Sequence, residues 1–260
     1  MKKTFSLIKS CIKRAVFNKR FLAAIILTTF FEILDVFPIF LSRILYVDNT
    51  WYFSGDVLSF FRCFGSTLFG LITFTTAAFP YACSYCEDIE TGFFTNIINR
   101  SGYPAYTVAS FTTCGFSSFL CVFLADLLFS GFFYLFFPLH SIYGIESYGS
   151  YFGKNYILLL FSFIILRSLR AAFFGIIVLL LSAFIQNRLV LLSLPFILFY
   201  FLMHIGYGTL SLPPYLNVRG IYFDFVFGDD KELQSLLYAF AFTITIGMIS
   251  GILFVKKIRR

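Results

Sequence analysis

The sequence predicts an all-α, polytopic membrane protein with six transmembrane helices and an N-terminal amphipathic elbow helix. Composition, the length of the apolar runs and the distribution of charge support this prediction. Of the 260 residues, 59% are hydrophobic and 13% are charged, and the mean hydropathy is +0.87. Soluble domains contain about 45–50% apolar and about 25% charged residues, so the composition indicates an integral membrane protein.

Six apolar runs reach the roughly 20 residues that a bilayer-spanning helix needs. The third and fourth runs are longer than a bilayer requires, which predicts tilting, a bend at Pro138 or projection beyond the lipid. Because no separate soluble domain is visible, we expect residues 1–260 to form a single transmembrane domain. The predicted spans are 21–41, 64–85, 105–138, 156–185, 189–207 and 236–255.

Lysine and arginine predict the orientation of these spans. Seven basic residues and no acid precede the first span, and four follow the last, which places both termini in the cytoplasm of a multi-pass cell-membrane protein. The predicted outer loops, 42–63, 139–155 and 208–235, carry five basic residues between them. The membrane topology therefore accounts for the net charge of +7. No excess positive charge remains that would indicate nucleic acid as a partner.

The basic segment 1–20 is predicted to form the elbow helix. Phe5, Ile8, Ile12 and Val16 recur at helical spacing, opposite much of the lysine and arginine set. Such a helix lies in the interface between lipid headgroups and acyl chains, with its apolar side buried. We expect it to lie on the inner leaflet before the first span.

A polar, amphipathic stretch interrupts the apolar sequence between the second and third spans, at 86–104. Ile89, Phe93 and Ile97 recur every four residues, while mostly polar residues occupy the other face. This spacing predicts one short surface helix, Glu87–Asn99. A soluble motor could push on a membrane protein through such a helix, so we interpret the stretch as a cytoplasmic docking loop.

Cysteine and histidine do not form a recognisable metal or catalytic motif. Cys83-Ser-Tyr-Cys86 lacks the second CxxC or nearby histidine that a zinc site needs, so we expect no metal. HExxH, GxSxG and phosphate-loop motifs are missing, so we expect no ATPase site and no enzyme. An intramembrane enzyme stays as an alternative, and it would require Glu87, Glu90, His140 and His204 to converge from opposite faces of the membrane.

Five ionisable residues fall inside the predicted spans. A charged group at this depth costs at least about 2.5 kcal/mol on insertion scales and is usually paired or functional. Asp126 and the two arginines lie at nearly equal depths from the predicted cytoplasmic ends, so we expect Asp126 to pair with Arg167 or Arg170. Such a pair could hold the bundle together or line a polar substrate path. The five intramembrane charges are Glu32, Asp35, Asp126, Arg167 and Arg170.

The order of these elements resembles the membrane subunit of type 2 ABC exporters, the ABC-2 permease family. Members often show an acidic residue, a glycine, an apolar helical patch and a turn that leads to tyrosine at the third span. Glu90, Gly92, Pro104 and Tyr106 match these positions. The usual Pro-x-Ser-Arg turn is instead Arg100-Ser-Gly-Tyr-Pro, and the lysine often found early in the third span is absent.

The resemblance implies a permease that exports an amphiphilic substrate, such as a lipid-like molecule, a drug or an antimicrobial peptide. It also implies a homo- or heterodimer of permeases surrounded by lipid, with two copies of a separate nucleotide-binding subunit that alone binds ATP. A secondary transporter or a signalling partner without an ATPase is the remaining alternative. Residues expected to meet the ATPase are Glu87, Asp88, Glu90, Gly92, Phe93, Phe94, Ile97 and Ile98, with both phenylalanines as buried anchors.

Overall fold

The computed structural model describes residues 2–45, 57, 68–136, 155–204, 213, 215–222, 227 and 231–259. Within these ranges the regular structure is entirely α-helical, as the sequence predicts. The helices are α1 (Lys2–Val16), α2 (Lys19–Leu45), α3 (Leu68–Ala78), α4 (Ser84–Glu90), α5 (Phe93–Ser101), α6 (Tyr103–Tyr134), α7 (Tyr156–Leu181), α8 (Arg188–His204), α9 (Val218–Tyr222) and α10 (Glu232–Ile258).

Four helices in the described residues are long and apolar enough to cross a membrane: α2, α6, α7 and α10. They correspond to the first, third, fourth and sixth predicted spans. The second predicted span contains α3, which covers 11 residues of the described chain, and the fifth contains the 17-residue α8. Six spans are therefore not confirmed. Most of the predicted outer-loop residues lie outside the described ranges, although α10 begins inside the third loop.

Local chemistry explains several helix boundaries. Gly102 adopts a φ of 80°, a left-handed conformation that favours glycine, and α6 begins directly after it with Pro104 in its first turn. The Asn187 side chain accepts a hydrogen bond from the backbone N–H of Leu189 at 3.0 Å, which caps the first turn of α8. Asn18 makes the equivalent bond to the N–H of Arg20 at 3.2 Å at the start of α2.

The centre of the fold is α7, which packs most extensively against α6 and α10. Helices α1 and α2 also pack against α6, and α3 packs between α2 and α8. The amphipathic α1 buries Cys11 and Ala15 and exposes Lys9 and Lys13. It packs against α6, and its predicted position on the inner leaflet stays a prediction.

A close approach at Gly175 holds α7 against α6. The Cys114 thiol lies 3.3 Å from the Gly175 carbonyl oxygen. A Cβ added at Gly175 would lie 2.5 Å from Ser118 Oγ and 3.2 Å from Ser118 Cβ. The two backbones can approach this closely only because neither helix places a larger side chain at the contact.

We predict that Gly175→Ala destabilises the protein by about 1–3 kcal/mol, because the new methyl group must displace Ser118. Gly131→Ala in α6 is the matched control, since an added Cβ there meets nothing within 4 Å in the described structure. That control should be neutral or stabilising by up to about 1 kcal/mol. Thermal unfolding in one detergent measures both, and equal melting temperatures for the two variants would contradict the proposed contact.

Candidate functional site

Six helix ends meet around α4, and we call this region the basic end. Helices α2, α6 and α8 begin there, and α3, α7 and α10 end there. Cys86 in α4 places its sulfur 3.9 Å and 3.8 Å from the carbonyl oxygens of Ser182 and Ile185, just beyond α7. At the end of α10, Arg259 lies over the ring of Tyr103 at 6.0 Å. All the ends predicted to be cytoplasmic are therefore on one side of the molecule.

The predicted single docking helix is wrong in one respect, because the stretch forms two helices, α4 and α5. The break falls at Thr91-Gly92, where Gly92 adopts a φ of 70° that disfavours residues with a side chain. The hydroxyl of Thr95 then donates to the Gly92 carbonyl at 2.8 Å. We refer to Ser84–Ser101 as the α4–α5 hairpin.

Ion pairs fix the α4–α5 hairpin to the rest of the chain. The Arg14 guanidinium donates to Asp88 Oδ1 at 2.6 Å, and Arg188 lies 3.6 Å from Glu87. Arg20 also bonds Glu87, and Arg188 bonds Glu90. The acids of α4 thus contact arginines from three other helices, α1, α2 and α8. We call this set the charge clamp, and its members are Arg14, Arg20, Glu87, Asp88, Glu90 and Arg188.

Asp88 is the buried member of the charge clamp, with 1% of the residue exposed. Its second oxygen, Oδ2, accepts a hydrogen bond from the Tyr106 hydroxyl of α6 at 2.9 Å. Burial raises the pKa of this carboxyl, while the bonds from Arg14 and Tyr106 favour its charged form and oppose that rise. A single side chain therefore ties α4 to both α1 and α6.

The two phenylalanines of the hairpin have different environments. Phe94 packs inward, with its ring centroid 5.4 Å from Tyr85 and 5.3 Å from Tyr106. Phe93 is 44% exposed, and the Arg14 guanidinium lies over its ring at 5.3 Å. Ile97 is buried beside Phe94 and Ile98 is half-buried. Of the two predicted anchors, only Phe93 is therefore available to a partner.

A second group of charges lies inside the bundle. Arg167 Nη2 of α7 donates to Glu32 Oε1 of α2 at 2.8 Å and lies 3.4 Å from Asp126 Oδ1 of α6. The predicted pairing of Asp126 with an arginine is thus confirmed for Arg167. We call Glu32, Asp126 and Arg167 the buried triad, since all three are at most 5% exposed.

Asp35 and Arg170 lie close to the buried triad in sequence and are also buried. Asp35 follows Glu32 by three residues on α2, and Arg170 follows Arg167 by three on α7. The predicted intramembrane charges therefore occupy adjacent turns of two helices, with Asp126 opposite them on α6. Within the described residues, the ion pairs of the triad join three of the long helices, α2, α6 and α7.

The cysteines of the described residues are buried and form no metal-binding cluster there. Cys83 and Cys86 are buried, burial raises the pKa of the Cys86 thiol, and no group of three metal-ligating side chains occurs in the described ranges. Glu87 and Glu90 contact Arg188 at the start of α8, whereas His204 ends that helix, about 24 Å away along its axis. His140 lies outside the described residues.

Sequence reasoning missed the arginines of the charge clamp and the role of Tyr106. Arg14, Arg20 and Arg188 were assigned only to topology, whereas the structure pairs each with an acid of α4. The spacing of the acids gave no sign of this, because their partners are 67 to 98 residues away in sequence. The available signal was that the predicted cytoplasmic segments hold six arginines and only three acids, all three of them in α4.

Comparison with family models, with curated proteins and with solved structures finds no match to this chain.

We predict that Arg167→Gln lowers the amount of folded protein, because it removes the cation that both carboxylates contact. Breaking a buried ion pair typically costs about 3–5 kcal/mol. Asp126→Asn should cost less, since Arg167 keeps its bond to Glu32. Combining Arg167→Gln with Glu32→Gln and Asp126→Asn should restore much of the loss, because the stranded charges are then absent.

The measurement is the yield of monodisperse protein in size-exclusion chromatography, together with its melting temperature. A triple variant no better folded than Arg167→Gln alone would contradict the triad.

Proposed function

We propose that this chain is the membrane permease subunit of an ATP-driven exporter that moves an amphiphilic substrate. The observation that carries the proposal is the exposed surface of the α4–α5 hairpin. Ile89 and Phe93 are exposed between two apolar helical segments, on the basic end of the molecule. A soluble ATPase subunit could bury these side chains as anchors.

The chemistry of this surface favours apolar contact over charge pairing. Glu87, Asp88 and Glu90 are already engaged by arginines of the same chain. In the proposed complex these three acids therefore hold the hairpin in place, and apolar side chains make the main contact with the ATPase. The remaining exposed positions on α5 are Thr95, Asn96 and Asn99, which are polar but uncharged, and one charged residue, Arg100, in the last turn.

The hairpin is also connected to the helices that would have to move. The charge clamp joins α4 to α1, α2 and α8, and Phe94 and Ile97 pack α5 toward α6. A displacement of the hairpin would therefore act on several helices at once. That arrangement suits a subunit driven by a motor outside the membrane.

In the proposed assembly the basic end faces the cytoplasm of the cell membrane and both termini lie on that side. The positive-inside rule supports this orientation, because the basic residues gather there. A second permease copy, identical or related, completes the transporter, and ATP is bound by the partner ATPase. The amphiphilic substrate class rests on the resemblance to ABC-2 permeases.

The buried triad favours a second candidate, a secondary transporter without an ATPase. Ionisable residues inside a membrane bundle commonly mark ion or substrate pathways. Transport by the chain alone in sealed vesicles, without ATP and an ATPase, would distinguish this candidate from the exporter.

We predict that Phe93→Ala lowers the ATPase activity that co-purifies with the tagged chain from its own cells. Loss of a hot-spot anchor costs about 2 kcal/mol or more, which corresponds to roughly 30-fold weaker binding. Phe132→Ala is the matched control, because Phe132 is also 44% exposed but lies near the other end of α6. That control should retain the ATPase.

Phe94→Ala should behave differently from Phe93→Ala, because it opens a cavity among Tyr85, Tyr103 and Tyr106 and lowers the folded yield. Undiminished ATPase recovery with Phe93→Ala, or the same loss with Phe132→Ala, would contradict docking through this surface.

A further inference from the structure

A small cavity opens beside the charge clamp, where the first turns of α2 and α8 meet the segment between α3 and α4. Its volume is about 160 Å³. Two arginines and one carboxylate provide its charged groups, and aromatic and aliphatic side chains provide its apolar wall. The lining residues are Arg20, Phe79, Cys83, Glu87, Arg188 and Leu192.

The charged groups of this cavity can bind both an anion and a cation at once. Among the residues that the structure describes, Arg20 and Arg188 each donate one side-chain hydrogen bond, to Glu87 and Glu90 respectively. A guanidinium group has five N–H donors, so both arginines keep donors for a phosphate. Glu87 lies between them, with Oε1 in contact with both and Oε2 3.8 Å from Arg14, and a carboxylate has further lone pairs to offer a cation. An anion and a cation a few ångströms apart match this arrangement.

The local charge favours a ligand with no net charge. Arg20 and Arg188 are balanced by Glu87 and Glu90, which are their partners. A purely anionic ligand would leave a negative charge without compensation at this site, whereas a zwitterion would not. The ligand cation must also donate hydrogen bonds to Glu87, which an ammonium group does and a quaternary amine cannot.

The position of the cavity corresponds to the level of lipid headgroups. Arg20 is the second residue of α2, a candidate membrane span, and Arg188 is the first residue of the apolar α8. Basic side chains at the ends of membrane helices typically lie at the interface between lipid and water. Beside the cavity, exposed apolar side chains continue along α2 and α8, at Leu22, Leu189 and Val190. These side chains could contact acyl chains.

We infer that this cavity binds the headgroup of a phospholipid with a primary ammonium group, its phosphate on Arg20 and Arg188 and its ammonium on Glu87. The inference rests on the charge clamp and on the membrane location, and it is independent of any ATPase. A bound lipid of this kind would bridge α2, α4 and α8 and stabilise the clamp. Lipid composition would then set the stability of the basic end.

The test uses the full chain, purified in detergent, stripped of lipid and reconstituted with one lipid at a time. Phosphatidylethanolamine should raise the melting temperature more than phosphatidylcholine or phosphatidylglycerol of the same acyl chains. Native mass spectrometry should show the same order of retained lipid. Equal shifts for the three lipids, or a larger shift with phosphatidylglycerol, would overturn the inference, since that pattern indicates non-specific attraction to a basic surface.

Two matched variants assign the preference to the cavity. Glu87→Gln should abolish the difference between phosphatidylethanolamine and phosphatidylcholine, because it removes the ligand of the ammonium group. Glu90→Gln should keep that difference, since Glu90 pairs with the same Arg188 but does not line the cavity. Loss of the preference in both variants, or in neither, would contradict the assignment.

Soluble phosphoethanolamine separates a lipid from a free headgroup as the ligand. It should shift the melting temperature less than the lipid does, because it cannot cover the apolar side chains of α2 and α8. A shift equal to that of the lipid would overturn the lipid assignment. If Glu87→Gln does not accumulate, the comparison of lipids on the wild-type chain still decides the inference.

Discussion

The bonds from Arg14 and Tyr106 to Asp88 fix the position of α4, and the arrangement of the basic end depends on them. A carboxylate that is 1% exposed is tolerated only with strong partners, because burial of an unpaired charge is costly. Two different helices supply those partners, so α1 and α6 are held at a fixed distance from the hairpin. The more exposed ion pairs of Glu87 and Glu90 add orientation but less energy, since exposed pairs contribute about 0–1 kcal/mol each.

The two groups of charges share helices, which bears on how an exporter could work. Arg20 of the charge clamp and Glu32 of the buried triad both lie on α2, and Tyr106 and Asp126 both lie on α6. The 32-residue α6 is about 48 Å long, against a hydrocarbon thickness of about 30 Å. The helix must therefore tilt, or roughly a third of its length must project beyond the hydrocarbon. In the proposed exporter, a push on the hairpin would reach the triad through these continuous helices.

Elements with a strong periodic or compositional signal were predictable from the sequence. The four long apolar helices and the amphipathic α1 were expected, since length and hydropathy determine them. The break at Gly92 was not, because the apolar spacing of Ile89, Phe93 and Ile97 runs through it while the glycine conformation interrupts the helix. The buried triad was predicted in part from depth along the helices. The charge clamp could not be, because its pairs join distant segments and depend on how the helices pack.

The basic end, with the α4–α5 hairpin, is predicted to face the cytoplasm, and the proposed function depends on this orientation. Labelling with a membrane-impermeant thiol reagent tests it, in a variant without native cysteines that carries either Asn96→Cys or Ser147→Cys. Asn96 is exposed on α5, and Ser147 lies in a predicted outer loop outside the described residues. We predict that intact cells label only Ser147→Cys, and that Asn96→Cys reacts after permeabilisation. Labelling of Asn96→Cys in intact cells would contradict the orientation and, with it, docking of a cytoplasmic ATPase.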